Sequence, residues 1–140
     1  MRILVCGSRH YGSSYEEREH IRDVLDEYMD ADVTIIQGEA RGVDTQAKIW
    51  AGMNNKPCLN FPAGWKEYGR AAGPIRNKQM LQEGKPDLVI AFLAPNSRGT
   101  ANMVQQATKA GIPTRIVNIG TSTQSTMPLG ATEKLTGAFK

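Results

Sequence analysis

The chain has little of what marks the specialised classes of protein. It contains two cysteines in 140 residues. Because Cys6 and Cys58 both fall in apolar, strand-like runs, a disulfide framework is not expected. No apolar run approaches the ~20 residues that a membrane span needs. The run over residues 1–7 is too short for a signal peptide and is typical of a first strand. These absences predict a cytoplasmic protein without a membrane partner.

Several patterns that indicate a particular chemistry are also missing. There is no G-x-G-x-x-G fingerprint of the usual dinucleotide-binding pose, no Walker A motif and no nucleophile elbow. The His, Cys and acidic residues show no metal-ligand spacing, so neither a metal nor a cofactor is expected. The net charge of +3 is spread along the chain and aromatic residues make up 6% of it, without the basic stripe of a nucleic-acid binder. A small anionic molecule is therefore favoured over nucleic acid as a partner.

What the sequence does contain is a regular alternation of strand-like and helical segments. Short apolar runs rich in β-formers, typical of strands buried on both faces, are separated by helical patterns. This alternation implies right-handed crossovers and parallel strands. We therefore predict an α/β fold, a Rossmann-like doubly wound parallel sheet of five strands in the order 3-2-1-4-5. The strands are expected at residues 3–6, 33–37, 57–61, 88–92 and 114–119.

Helices are expected between these strands. Ser14 followed by Glu17 is a capping box and predicts the start of the first helix. The third pattern opens with Gly73 and Pro74, and proline is favoured in the first helical turn. The other helical patterns have no such start signal and are placed by their apolar periodicity. The second, third and fourth helices are expected over residues 43–54, 73–84 and 100–110.

The composition indicates one domain with a polar extension. Apolar residues make up 40% and charged residues 22% of the chain, which is ordinary for a globular protein of this length. We place the domain at residues 1–119. Residues 120–140 are polar, and we interpret them as a tail that is flexible or reaches a neighbouring subunit of a homo-oligomer.

The most informative segment is residues 94–100. It follows the fourth strand and opens a helix, so backbone N–H groups converge there and favour an anion such as phosphate. Arg98 adds a charged donor fork beside Gly99 and Thr100. In the predicted strand order the chain reverses direction between strands 1 and 4, where ligands of such sheets bind. Gly7, Ser8 and Arg9, which follow strand 1, would therefore lie beside this segment.

Two further segments carry candidate residues. After strand 2, Gly38, Glu39, Arg41 and Asp44 precede a helix. Asp44 either complements the helix dipole or accepts hydrogen bonds from a ribose or a base.

Residues 69–77 form the longest irregular segment, and long loops in compact domains are often functional. Arg70, Arg76 and Asn77 make this segment a second candidate anion site. Trp65, just before it, either stacks on a nucleobase or covers the core.

These segments together resemble one known family. Gly-Ser-Arg at residues 7–9, Gly-x-Ala-Arg-Gly-x-Asp at 38–44, Gly-Arg-Ala-Ala-Gly-Pro-x-Arg-Asn-x-x-Met at 69–80 and Arg-Gly-Thr-Ala-x-Met at 98–103 resemble the YAcAr-like branch of the SLOG superfamily. The resemblance covers residues 2–118. It implies a Rossmann-like fold that binds nucleotides or nucleotide-derived signals. The superfamily also includes the DprA proteins and the LOG phosphoribohydrolases, which cleave the N-glycosidic bond of nucleoside monophosphates.

The chain departs from the LOG enzymes at the position that matters for catalysis. Their motif is Pro-Gly-Gly-x-Gly-Thr-x-x-Glu. Pro95, Gly99 and Thr100 agree with it, but residues 96 and 97 are not glycine, and Met103 stands at the position of the glutamate. Met103 also continues the apolar stripe of its helix, which is typical of a core residue. Without that carboxylate, the positively charged transition state of glycosidic cleavage loses its expected partner.

The leading hypothesis is therefore a protein that binds, senses or sequesters a nucleotide or nucleotide-derived phosphate. The alternative is a phosphoribohydrolase with Asp44 or Glu39 as the acid/base, and a weaker one is DprA-like handling of nucleic acid. The expected ligand-binding residues are Gly7, Ser8, Arg9, Gly38, Arg41, Asp44, Arg70, Arg76, Asn77, Arg98, Gly99 and Thr100.

Overall fold

The computed structural model describes residues 1–120 and 133–136, and it shows a single sheet flanked by helices on both faces. The strands are β1 (Arg2–Gly7), β2 (Thr34–Gln37), β3 (Cys58–Asn60), β4 (Leu88–Leu93), β5 (Thr114–Asn118) and β6 (Glu133–Thr136). The helices are α1 (Tyr15–Asp26), α2 (Val43–Met53), α3 (Trp65–Tyr68), α4 (Ala72–Gly84) and α5 (Arg98–Lys109). A 3-10 turn, Gly69–Ala71, joins α3 to α4.

The sheet has the predicted order with one additional strand. Its order is β3-β2-β1-β4-β5-β6, and the first five strands are parallel. The predicted Rossmann-like order 3-2-1-4-5 is therefore confirmed. β6 lies within the segment interpreted as a polar tail and pairs antiparallel with β5, with Thr136 opposite Thr114. Backbone pairing satisfies the free edge of β5 and needs no apolar periodicity, so the sequence pattern gave no signal for it.

The core is divided between the two faces of the sheet. Alternate residues of β1 point to opposite faces: Ile3 and Val5 pack in the cluster with α1 and α2, and Leu4 and Cys6 in the cluster with α4 and α5. Met103 of α5 is fully buried in the second cluster. The interpretation of Met103 as a core residue is therefore confirmed.

The helix starts follow local chemistry in two instructive ways. The capping box of α1 is present, since Ser14 Oγ accepts from Glu17 N at 3.1 Å and Glu17 Oε1 accepts from Ser14 N at 3.4 Å. The expectation of an irregular segment at residues 69–77 is wrong, because a 3-10 turn occupies 69–71 and α4 begins at Ala72, one residue before the predicted start of the third helix. Alanine favours a helix, and Pro74 is tolerated in the first turn, where an N–H has no intrahelical partner.

None of the described helices is long and apolar enough to cross a membrane.

Candidate functional site

A cavity of about 390 Å³ opens where β1 and β4 end. β1 and β4 are adjacent, and the chain order reverses between them, which is the expected position for a ligand in a sheet of this kind. Its walls come from the segments after β1 and β4, the start of α2, α3, α4 and the first turn of α5. The predicted site residues that line it are Gly7, Ser8, Arg9, Asp44, Arg70, Arg76, Asn77, Arg98, Gly99 and Thr100.

The N-terminus of α5 faces this cavity without a side-chain cap. Ser97 precedes the helix, but its Oγ accepts from Ala94 N at 3.1 Å and makes no capping bond. Arg98 N donates to Asn96 O at 3.0 Å. Among the described residues, no acceptor takes the N–H of Gly99 or Thr100. These two donors and the helix dipole can therefore bind an anionic group.

Three arginines around the cavity have no carboxylate partner among the described residues. Arg9, Arg70 and Arg98 all line it and are exposed. Within residues 1–120, none of the three forms an ion pair with a carboxylate. The side chain of Arg9 instead lies over the indole of Trp65, with Cζ 5.0 Å from the ring centroid. The cavity therefore combines three guanidinium groups that lack a carboxylate partner with two backbone N–H groups that lack an acceptor, as far as the described residues go.

Among the described residues that line the cavity, Asp44 is the one carboxylate, and it is buried at 4% exposure. Its Oδ2 accepts from Gly38 N at 3.1 Å and from Ala40 N at 3.2 Å. Burial raises the pKa of Asp44 to about 6, although these two N–H groups and the charges of Arg76 and Arg9 act in the opposite direction. A carboxyl group with this pKa can exchange a proton near neutral pH.

Arg76 and Asn77 tie the walls of the cavity together. Arg76 donates from Nη1 to Gly38 O at 2.5 Å and from Nε to Asn77 Oδ1 at 3.1 Å. The buried Asn77 donates from Nδ2 to Gly99 O and to Asn102 Oδ1, both at 3.1 Å. The two side chains therefore link the segment after β2, α4 and the first turn of α5. Part of their hydrogen-bonding capacity is used within the protein.

Three predicted residues do not line the cavity. Glu39 lies outside it, and its carboxylate forms an ion pair with Lys48 at 2.9 Å. Arg41 is exposed and is also not a lining residue. Gly38 contributes its backbone, and a Cβ there would collide with the guanidinium of Arg76. A side chain at this position would therefore push the Arg76 guanidinium away from Gly38 O.

Two residues at the end of β1 have structural explanations. A Cβ at Gly7 would lie 2.6 Å from Val43 Cγ2, so glycine allows α2 to pack closely on β1. Burial raises the pKa of the Cys6 thiol far above its ordinary value. Cys6 borders the cavity but stays protonated, and a thiolate nucleophile is not expected there.

Sequence reasoning missed Asn102 and left Trp65 undecided. Asn102 lines the cavity from α5, four residues after Arg98. That spacing places both residues on one helix face and could have identified it. Trp65 is 47% exposed and lines the cavity, so it does not cover the core. No local pattern could decide this, because the outcome depends on how α3 packs against distant segments.

Comparison with known proteins agrees with this architecture. The sequence profile of the YspA, cpYpsA-related SLOG family matches residues 1–68. The Gene 61 protein of Mycobacterium phage D29 is 34% identical over 128 residues, which are 85% of this chain and 96% of the phage protein.

Solved structures share the fold at low sequence identity. TM1055, a structural-genomics target, has a TM-score of 0.64 at 14% identity, over 81% of this chain and 71% of that one. DprA from Streptococcus pneumoniae has a TM-score of 0.66 at 20% identity, over 86% of this chain but only 50% of that one. DprA from Helicobacter pylori, described as binding single-stranded DNA, has a TM-score of 0.60 at 15% identity, over 87% of this chain and 67% of that one.

Proposed function

Since this chain belongs to the YspA, cpYpsA-related branch of the SLOG family, we propose that its cavity binds a nucleotide or nucleotide-derived phosphate, as a sensor or sequestering module. The phosphate would lie at the first turn of α5, between Arg98 and Arg9, and receive hydrogen bonds from the N–H groups of Gly99 and Thr100. Asp44 would lie near the ribose. Ser8 and Arg70 would contribute further polar contacts.

The observation that carries this proposal is the surplus of positive charge in the cavity. Three guanidinium groups that form no ion pair within the described residues line the same cavity as the uncapped N-terminus of α5. A group of cations around a cavity that holds one buried carboxylate repels other cations and attracts a ligand with more than one negative charge. Phosphate fits this chemistry best because it can accept from guanidinium and backbone donors at once.

The test compares two arginine variants. Calorimetric titration with nucleoside mono- and diphosphates should show binding to the wild type, weakened by Arg98→Gln by about 10- to 100-fold, the size of a charge-assisted contact. Arg41→Gln is the matched control, because Arg41 is an exposed arginine outside the cavity. The proposal fails if no phosphorylated compound binds the wild type, or if both variants weaken binding equally.

Hydrolysis of an N-glycosidic bond is a second candidate, favoured by Asp44. Its carboxyl group borders the cavity and has a pKa of about 6, which suits proton transfer to a leaving base or from an attacking water. Met103, at the LOG glutamate position, lies in the core instead. Any catalysis would therefore depend on Asp44.

Chromatography of nucleoside monophosphates incubated with the protein tests this candidate. Release of free base should fall about 100-fold or more in Asp44→Asn, the size of a general acid–base contribution. Glu39→Gln, whose carboxylate lies outside the cavity, should retain activity. Tight binding without turnover would reject hydrolysis and leave the binding proposal standing.

Nucleic-acid handling is the third candidate, and the likeness to the fold of DprA keeps it open. A salt-sensitive gel shift with single-stranded DNA would support it, since phosphate contacts release counterions. Absence of a shift at low salt would reject it.

A further inference from the structure

One wall of the cavity is suited to a flat apolar group. Trp65 and Pro74 line it, and the indole packs over Gly73, where a Cβ would lie 3.5 Å from Cη2 of Trp65. Trp65 is half-exposed, whereas the chain's other tryptophan, Trp50, is buried and donates Nε1–H to Asp26 at 2.9 Å. The exposed indole is therefore available to a ligand on the side of the cavity formed by α3 and α4.

Arg9 contacts this apolar wall and is also one of the three arginines that line the cavity. Its guanidinium lies over the Trp65 ring, 5.0 Å from the centroid, and in the described residues it has no ion pair to hold it there. A cation–π contact at an exposed site is weak, and stacking of a nucleobase on an aromatic ring is stronger. A base would therefore displace the guanidinium from the ring, and a phosphate would give Arg9 a better partner.

We propose that Trp65 is the stacking platform for the base of the ligand, and that Arg9 moves from the indole to the phosphate when the base arrives. This inference rests on the proposed function and extends it by assigning the base subsite. The cavity of about 390 Å³ lies near the lower end for small-ligand sites, so it suits a single nucleotide. The ligand class is then a mononucleotide whose base and phosphate are bound by different residues of the cavity.

The experiment separates the base from the phosphate. Binding of adenosine 5′-monophosphate and of ribose 5-phosphate is measured for the wild type, Trp65→Ala and Tyr68→Ala. Trp65→Ala should weaken binding of the nucleotide about tenfold, the size of one base–aromatic stack, and change binding of ribose 5-phosphate less than about twofold. Tyr68→Ala is the matched control, because Tyr68 is an exposed aromatic of the same short helix that does not line the cavity. It should leave both affinities unchanged.

The outcomes distinguish this inference from the proposed function. If neither compound binds the wild type, the phosphate site itself is wrong. If both bind and Trp65→Ala weakens both equally or neither, the phosphate site stands and the base subsite is overturned.

A wild-type measurement covers the case in which the alanine variant does not fold. Saturating nucleotide should quench the fluorescence of the exposed Trp65 over the constant background of the buried Trp50, and ribose 5-phosphate should quench it less. Absence of quenching by a bound nucleotide would overturn the base subsite.

Discussion

Replacing Asp44 by asparagine should change how the stability of the fold depends on pH. The pKa of Asp44 is about 6 in the folded protein, against an ordinary value of 3.8. The folded state therefore holds the proton more tightly than the unfolded state does. Between these two values the unfolded chain loses its proton first, so the free energy of unfolding falls as pH rises. The penalty is nearly absent below about pH 3 and nearly complete above about pH 7.

The size of the penalty follows from the difference between the two pKa values. At about 1.36 kcal/mol for each pKa unit, the change from 3.8 to about 6 amounts to about 3 kcal/mol. The amide side chain of the Asp44→Asn variant cannot ionise, but its Oδ1 can still accept from Gly38 N and Ala40 N. The variant should therefore gain about 3 kcal/mol relative to the wild type between about pH 3 and about pH 7. Altered hydrogen bonds change the free energy of unfolding of the variant by the same amount at every pH, so they do not affect the pH-dependent difference.

Urea unfolding at fixed ionic strength, in buffers without phosphate, measures this difference. Asp23→Asn removes one exposed carboxylate of α1 and controls for the change in net charge. A stability difference between Asp44→Asn and wild type that stays flat across this pH range would refute the reasoning. A difference that shrinks as pH rises would show that hydrogen bonds and arginine charges outweigh burial.

Two further substitutions test the contacts that shape the cavity. Gly38→Ala should cost about 1–3 kcal/mol in urea unfolding, because its Cβ displaces Arg76 from Gly38 O. Gly52→Ala is the control, because a Cβ there meets nothing within 4 Å. It should leave stability unchanged or raise it by about 0.5–1 kcal/mol. If the two alanine variants change the free energy of unfolding equally, the clash at Gly38 is not the cause. Asn77→Ala should cost about 1–3 kcal/mol by thermal unfolding and weaken phosphate binding, because it frees Gly99 O and Arg76 Nε. Lys78→Ala, at the exposed neighbouring position, should change neither stability nor phosphate binding. If Asn77→Ala also changes neither, Asn77 is not part of the site.

The position of the site could be predicted before any side chain was placed. The alternation of strands and helices predicted a doubly wound parallel sheet. The predicted order, which the structure confirms, puts the ends of β1 and β4 side by side. The residues that follow those strands had to meet there. Gly7, Ser8, Arg9, Arg98, Gly99 and Thr100 accordingly line one cavity. The capping box of α1 could also be predicted from the sequence, because it depends on residues within one turn.

The roles within the site depended on contacts that no local pattern contains. Arg76 was expected to contact a ligand from a loop, but it lies on α4 and binds the carbonyl of Gly38, 38 positions away in sequence. Glu39 and Asp44 looked alike as acid/base candidates. The fold left Glu39 beside Lys48 at the surface and buried Asp44 against the cavity. Burial of Asp44 and the surface ion pair of Glu39 therefore separate the two carboxylates.

The sequence by itself determined the alternation of parallel strands and helices, the capped start of α1 and the end of the sheet at which the cavity opens, because these follow from local periodicity and chain connectivity. Tertiary structure decided which of those residues face the cavity. The pKa of Asp44, the hydrogen bonds of Asn77 and the stacking of Arg9 on Trp65 depend on desolvation and on close packing between distant segments. Those energies exist only once the chain has folded.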